Sequence, residues 1–94
     1  MRIARVDSNQ KEIVLALRRH GALVKHTHTI KNLFDILVYF QGNTYSVEIK
    51  DGNKPPSQRK LTDGEKKCKE EMESKGVKYW VVESVEEALK MLEL

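Results

Sequence analysis

The chain has 94 residues, of which 39% are hydrophobic and 33% charged, and its formal net charge is +3. This composition predicts one globular domain over residues 1–94 and excludes a disordered chain. No apolar run reaches the ~18 residues of a transmembrane helix. The N-terminus has no signal-peptide core, and the single cysteine, Cys68, cannot form an internal disulfide. We therefore expect a cytoplasmic protein without a membrane partner.

The charge is unevenly distributed along the chain. Residues 1–60 carry eleven Lys and Arg against five Asp and Glu, a net +6, whereas residues 61–94 carry six against nine, a net −3. A basic half is compatible with a polyanionic partner such as nucleic acid, and equally with an ordinary solvated surface.

The first predicted helix runs from about Ser8 to His20. Asn9 and Glu12 have the spacing of a capping box, and Gly21 is a natural residue to follow the helix. Other candidate N-caps are Asp7 and Ser8. The predicted buried stripe consists of Ile13, Val14, Ala16 and Leu17.

Three strands are predicted next, over Ala22–His26, Leu33–Phe40 and Tyr45–Lys50. The last two are joined by Gly42 and Asn43, a pair typical of a two-residue hairpin loop. That loop places Gln41 opposite Thr44, and therefore Asp35 opposite Lys50.

The rest of the chain predicts two helices and one strand. A loop covers residues 51–57, and a capping box at Thr62–Glu65 begins a charged helix that ends near Gly76. A fourth strand follows at Val77–Val82, and Ser84 begins a last helix. The order α-β-β-β-α-β-α with a final β-α-β crossing predicts an α/β domain, a mixed sheet covered by helices.

Charged residues interrupt two of these strands, where carboxylates are disfavoured. Asp35 stands in the second strand, and Glu48 and Lys50 stand in the third. Strand side chains alternate between faces, so the three share one face of the predicted hairpin. Opposed Cβ atoms lie about 5 Å apart, and diagonal ones about 7–8 Å. Such a departure from a local rule often marks a functional site.

Two carboxylates beside an ammonium suit phosphodiester hydrolysis. Mg²⁺ or Mn²⁺ prefers oxygen ligands, which Asp35, Glu48 and the Ile49 backbone carbonyl offer. A bound ion neutralises charge on the phosphate and activates water. Lys50 is a candidate to orient or deprotonate that water or to stabilise the developing charge. Glu12 is a further candidate, with a helix-capping role as the alternative.

Several polar residues have weaker signals. His26 and His28 are either a metal pair or the polar edge of a loop. The candidate phosphate contacts, with a solvated loop as the alternative, are Thr29, Lys31, Gln58, Arg59 and Lys60.

The order of these motifs resembles the PD-(D/E)XK nuclease superfamily, and more closely its VRR-NUC family of stand-alone phage and bacterial proteins. The resemblance spans nearly the whole chain. Its matching segments are Asn9–Val14, Ala16–Arg18, Gly21–Ala22, Phe34–Val38, Tyr45–Gly52, Lys54–Ser57 and Lys60–Thr62, followed by thinner similarity at Val81–Val82 and Val85–Leu89.

The resemblance implies a restriction-endonuclease-like core and a metal-dependent DNA endonuclease. It implies metal ligation by Asp35, Glu48 and the Ile49 carbonyl, with Lys50 as the catalytic lysine and Glu12 as a supporting contact. It further implies structure-selective cleavage of branched DNA such as Holliday junctions, by a homodimer in a bacterial or phage-infected cell. The chain departs from the family in having Phe34, rather than Pro, before Asp35, and in lacking a Val-Arg-Arg tract.

Two other functions are open from the sequence. The first is a non-catalytic module resembling a double-stranded-RNA-binding domain, because the α-β-β-β-α portion has that order and Lys66–Lys69 provides a basic helix start. The second is a degenerate nuclease fold kept for protein contacts. Neither needs Asp35 and Glu48 close together.

Overall fold

A computed structural model describes residues 8–94. In chain order its elements are α1 (Gln10–Arg19), β1 (Leu23–His26), β2 (Ile36–Phe40), β3 (Asn43–Ile49), a short 3-10 turn (Pro56–Gln58), α2 (Asp63–Ser74), β4 (Tyr79–Val82) and α3 (Val85–Met91). The predicted order of helices and strands is confirmed. Asp7, one of the candidate N-caps, lies outside the described residues.

The four strands form one mixed sheet in the order β1-β2-β3-β4. The first three strands are antiparallel neighbours, and β4 pairs in parallel with β3. A parallel neighbour requires a crossover connection, which α2 supplies. The predicted mixed sheet is therefore confirmed. Over residues 8–94, no helix combines the length and the apolar character that crossing a bilayer would require.

Each face of the sheet carries its own apolar cluster. Helices α1 and α3 pack on one face through Ile13, Leu17 and Ala88, against strand residues such as Val38 and Val47. On the other face, α2 packs through Cys68 and Met72 against Phe34 and Tyr79, and Leu33, Leu37 and Leu61 complete this cluster. Because α2 covers only part of its face, the end of the sheet beside it forms a cleft between helix and strands.

In the hairpin between β2 and β3, the pairing of the two strands is shifted by two residues from the predicted register. Its loop is Gln41-Gly42, and Phe40 pairs with Asn43. Both loop residues have positive φ, +48° at Gln41 and +81° at Gly42, as a tight turn that matches the strand twist requires. Glycine takes the second loop position, where no Cβ opposes that conformation.

The corrected register has one consequence for the charged residues. Ile36 pairs with Val47, which brings Asp35 level with Glu48 and not with Lys50 as predicted. A shift of one residue would have moved a strand's side chains to the opposite face, but a shift of two does not. The predicted convergence on one face is therefore retained. Asp35 also lies just before β2, since the strand begins at Ile36 and not at Leu33.

Asn9 connects the start of α1 to the ends of two strands. Its side chain makes no cap hydrogen bond, so the predicted capping box with Glu12 is wrong. Instead, Asn9 Nδ2 donates to the carbonyl oxygens of Lys50 and Glu83, both at 3.0 Å. These carbonyls follow β3 and β4, and their attraction for the amide outweighs a local cap. By contrast, the predicted capping box of Thr62 and Glu65 is present at the start of α2.

We predict that Asn9→Asp lowers the free energy of unfolding by about 2 kcal/mol or more, because a carboxylate of the same shape faces two carbonyl oxygens without a proton to donate. Urea denaturation measures the change. Asn53→Asp, at an exposed loop position, is the matched control and is expected to change stability by less than about 0.5 kcal/mol. Equal effects of the two substitutions would contradict the role given to Asn9.

Candidate active site at the end of the sheet

Backbone hydrogen bonds hold Asp35 on both sides. Its N–H donates to the carbonyl of Val47 at 3.0 Å, and its own carbonyl accepts from Thr27 at 2.9 Å. The carboxylate oxygen Oδ2 accepts a hydrogen bond from the N–H of Ile49 at 2.8 Å. The Asp35 carboxylate thus accepts a hydrogen bond from a β3 backbone amide at a position just before β2 begins. This bond holds the side chain against the end of β3.

Glu48 is an acid buried within the sheet. It is 4% exposed, and the hydroxyl of Tyr79 donates to its Oε1 at 3.4 Å. Burial raises the pKa of Glu48 to about 9, with further contributions from the neighbouring charge of Asp35 and from its hydrogen bond with Glu65. Burial, together with the charge of Glu48, also raises the pKa of Tyr79. Without a cation, Glu48 is therefore protonated at neutral pH.

Lys50, the first residue after β3, lies between two acids. Its Nζ donates to Glu65 Oε1 at 2.9 Å and lies 3.5 Å from Glu48 Oε2. Burial disfavours the charged ammonium, but the hydrogen bond to Glu65 and the charge of Glu48 outweigh it and raise the pKa of Lys50. The ammonium is consequently held in place from two directions.

Glu65 is a site residue that the sequence analysis did not identify as one. Its Oε1 accepts both from the Thr62 N–H, at 2.8 Å, and from Lys50 Nζ. Burial alone would raise the pKa of Glu65, but the hydrogen bonds from Lys50 and Thr62 lower it. Its capping-box spacing was the only sequence signal, and that signal predicts a helix start rather than a contact with the sheet.

A cavity of about 160 Å³ opens onto these acids. Its walls are formed by the loop before β2, the end of β3 and the first turn of α2, and they comprise His28, Ile30, Lys31, Asn32, Leu33, Phe34, Asp35, Glu48, Thr62 and Glu65. Of the candidate phosphate contacts, Lys31 lies in this wall. Thr29 is exposed two residues earlier on the same loop.

The remaining candidates do not line this cavity. Gln58 and Lys60 are exposed, and Arg59 Nη1 donates to Glu83 Oε1 at 3.0 Å, which ties the loop before α2 to the end of β4. Glu12 is exposed on α1, the helix that packs on the opposite face of the sheet, and it is not part of the cavity wall.

The donor atoms at the cavity fit a hard divalent cation. Among residues 8–94, no three His, Cys, Asp or Glu side chains form a metal cluster, so a site here relies on two carboxylates and backbone oxygen. The N–H and C=O of a strand residue point the same way. The Ile49 N–H reaches Asp35, so its carbonyl faces the same gap. Positive charge would also offset the burial and the charge of Asp35, which together raise the pKa of Glu48.

A search of solved structures supports the architecture. It finds a chain described as a VRR_NUC domain, with a TM-score of 0.68 and 21% sequence identity, covering 93% of this chain and 97% of the other. This chain has a VRR-NUC-like fold. The fold implied by the sequence resemblance is thereby confirmed. No family model matches the sequence, and no curated protein matches it.

We predict that Glu48→Gln stabilises the metal-free protein, increasingly so as pH rises. The folded state keeps a proton on Glu48 that the unfolded chain releases above pH ~4.5, so this group makes the free energy of unfolding fall between pH ~4.5 and ~9. Glutamine resembles the protonated acid and does not ionise. Between pH 5.5 and 8.5 the stability difference should move in favour of the variant by ~1 kcal/mol or more.

Denaturation in EDTA-containing buffers at several pH values measures this difference. Glu73→Gln, at an exposed glutamate of α2, is the control and should follow the wild type. A difference between Glu48→Gln and wild type that stays constant from pH 5.5 to 8.5 would show that Glu48 is ionised in the folded protein.

Proposed function

We propose that this protein is a Mg²⁺- or Mn²⁺-dependent endonuclease that hydrolyses phosphodiester bonds in branched DNA such as Holliday junctions. The observation that carries the proposal is that Asp35 and Glu48 line one cavity of a VRR-NUC-like fold, with the Lys50 ammonium 3.5 Å from Glu48 Oε2. A fold alone does not establish an activity, so the support comes from the chemistry of these three side chains.

The ion would be held by Asp35, Glu48 and the carbonyl of Ile49. When bound, it supplies positive charge at the phosphate and lowers the pKa of water. Asp35 is aligned by the Ile49 N–H. Glu48 is supported by the Tyr79 hydroxyl, and it would hold the ion in its ionised form.

Lys50 contributes a second positive charge. Its ammonium is positioned by Glu65 and Glu48, beside the place where the phosphate would lie. There it orients the attacking water by hydrogen bonding and stabilises the charge that develops on the phosphate oxygens. Glu65 acts through Lys50 and is a positioning residue.

The proposal keeps the other predicted contacts in supporting roles. Lys31 in the cavity wall would contact phosphates, together with Thr29 on the same loop and with Gln58, Arg59 and Lys60 before α2. Glu12 would contact a water or a second ion. It stands in the first turn of α1, whose start is bonded to the end of β3 through Asn9.

A homodimer in the cytoplasm of a bacterial or phage-infected cell completes the proposal. A two-fold dimer offers two active sites to a nearly two-fold junction. Leu23 and Tyr39, paired across β1 and β2, are 52% and 39% exposed on the sheet face that α2 leaves open, which supports a subunit contact there. Sedimentation of the wild-type protein tests for the dimer.

The alternative of a double-stranded-RNA-binding module is less well supported. Such a module ends after its second helix, whereas here β4 extends the sheet beside β3 and α3 completes the core. It also has no use for a buried pair of acids. Binding to duplex RNA that survives chelation, without cleavage of any DNA, would favour it.

We predict that Lys50→Ala and Glu48→Ala each reduce Mn²⁺-dependent cleavage at least ~100-fold, since one removes the ammonium and the other an ion ligand. The assay uses junction, flap, single-stranded and duplex DNAs, with junctions cut fastest by the wild type and EDTA abolishing cleavage. Lys69→Ala, on the exposed face of α2, is the control. If both site variants cut as fast as this control, the site assignment is wrong.

We predict that Glu65→Gln reduces cleavage ~10-fold while stability changes by less than ~1 kcal/mol. Glutamine at this position can still complete the capping box, but it no longer offers Lys50 a charged partner. Junction cleavage and urea denaturation are measured on the same preparations. Glu73→Gln, which loses only an exposed ion pair with Lys69, should behave as wild type. Full activity of Glu65→Gln would exclude the positioning role.

A further inference from the structure

A second cavity lies next to the proposed active site. It has a volume of about 270 Å³ and is lined by Gln10, Lys11, Val14, Leu15, Arg18, His26 and His28. The proposed mechanism uses none of these residues. His28 lines this cavity and the active-site cavity alike, so the two cavities are neighbours at this residue.

Two buried polar atoms that belong to residues lining this cavity lack hydrogen-bond partners among the described residues. Gln10 is 2% exposed, yet its carbonyl oxygen Oε1 accepts no hydrogen bond; its Nε2 lies 3.5 Å from His26 Nδ1. Nδ1 of His28 is likewise buried and unpaired. Such atoms are costly to bury unless a ligand or water satisfies them. The pair suits a ligand with hydrogen-bonding groups on its edge.

Part of the cavity wall is formed by apolar side chains and by two imidazole rings. Val14 and Leu15 form one side, and Leu15 remains 45% exposed. The rings of His26 and His28 stand edge to face with centroids 5.5 Å apart. Partial burial, with His28 and Arg18 nearby, lowers the pKa of His26, which favours a neutral ring. Imidazole rings of this kind stack on nucleobases.

Positive charge borders the cavity. Lys11 and Arg18 both line it, and Arg18 Nη2 is anchored by donating to the Val24 carbonyl at 3.0 Å. A ligand that matches this cavity would combine a flat apolar body, an edge that donates hydrogen bonds, and a nearby negative charge. The volume lies somewhat below the ~300–1,000 Å³ typical of pockets for drug-sized molecules, as befits a single base.

We propose that this cavity receives one unpaired nucleobase of the DNA substrate, next to the nucleotide whose phosphate is cleaved. Gln10 Oε1 accepts a hydrogen bond from an amino group of the base, and the base lies against Leu15 and the histidine rings. The position of the cleaved phosphate rests on the proposed function. A base within a duplex does not reach such a cavity without leaving its stack, so this contact selects DNA with unpaired bases at branch points.

The test measures binding separately from cleavage. The wild-type protein in EDTA is titrated with an adenine deoxytetranucleotide and with an abasic tetramer of equal charge, followed by heteronuclear NMR. We expect the adenine oligomer to bind at least about fivefold more tightly, from the stacking of one base. We also expect shifts at the Gln10 side-chain amide and the Val14 and Leu15 methyls. Equal affinities, or shifts confined to other surfaces, would overturn the proposal.

Two pairs of measurements identify the residues involved. Gln10→Leu removes the unpaired oxygen at similar volume, so we expect unchanged or higher stability together with loss of most of the preference for adenine. Leu15→Ser should weaken adenine binding, whereas Val77→Ser, at a similarly exposed apolar residue, should not. Retention of the full preference by both cavity variants would contradict the assignment.

Two further comparisons separate the possible failures. An adenine ribotetranucleotide that binds more tightly than the deoxy form would overturn the assignment to DNA. Junction cleavage without any base preference in the binding assay would remove this inference and leave the proposed function intact. A base preference at this cavity, with no cleavage of any DNA, would support the cavity and overturn the nuclease.

Discussion

The burial of one acid beside another is the constraint on which the site depends. Asp35 and Glu48 lie level on neighbouring strands and face one cavity, where burial weakens the solvation that would let both ionise. The pKa of Glu48 is raised to about 9, far above the ordinary range of a carboxyl group. Because the folded state keeps a proton that the unfolded chain releases, this acid lowers the folding stability as the pH rises toward 9.

The surrounding elements each hold part of this arrangement. The end of β3 fixes Asp35 through the Ile49 amide, and α2 holds Lys50 through Glu65. The first turn of α2 also packs closely on the loop before β2. A Cβ atom added at Gly64 would collide with the side chain of Asn32, so the absence of a side chain at Gly64 permits this contact. Loop, strand and helix therefore close around the acids as one unit.

Much of the fold was predictable from local patterns. The helix that begins at Thr62 has the expected capping box, and β2 alternates as expected, since Ile36, Val38 and Phe40 are buried and Tyr39 is exposed. The hairpin register was not predictable from the turn sequence alone. Gln41-Gly42 and Gly42-Asn43 are both plausible loops, and the choice depends on how the two strands pack along their full length.

Sequence by itself determined which side chains have the chemistry of the candidate site, since Asp35, Glu48 and Lys50 are charged residues at or next to apolar strands. Shifting the strand pairing by two residues leaves all three on one face of the sheet. Only the tertiary structure decided which acids lie level, that Glu65 turns inward to hold Lys50, and that Asn9 binds strand ends and not its own helix. The contacts of Glu65 and Asn9 join residues from 15 to 74 positions apart. Their energies depend on which surfaces pack together, which no short stretch of sequence specifies.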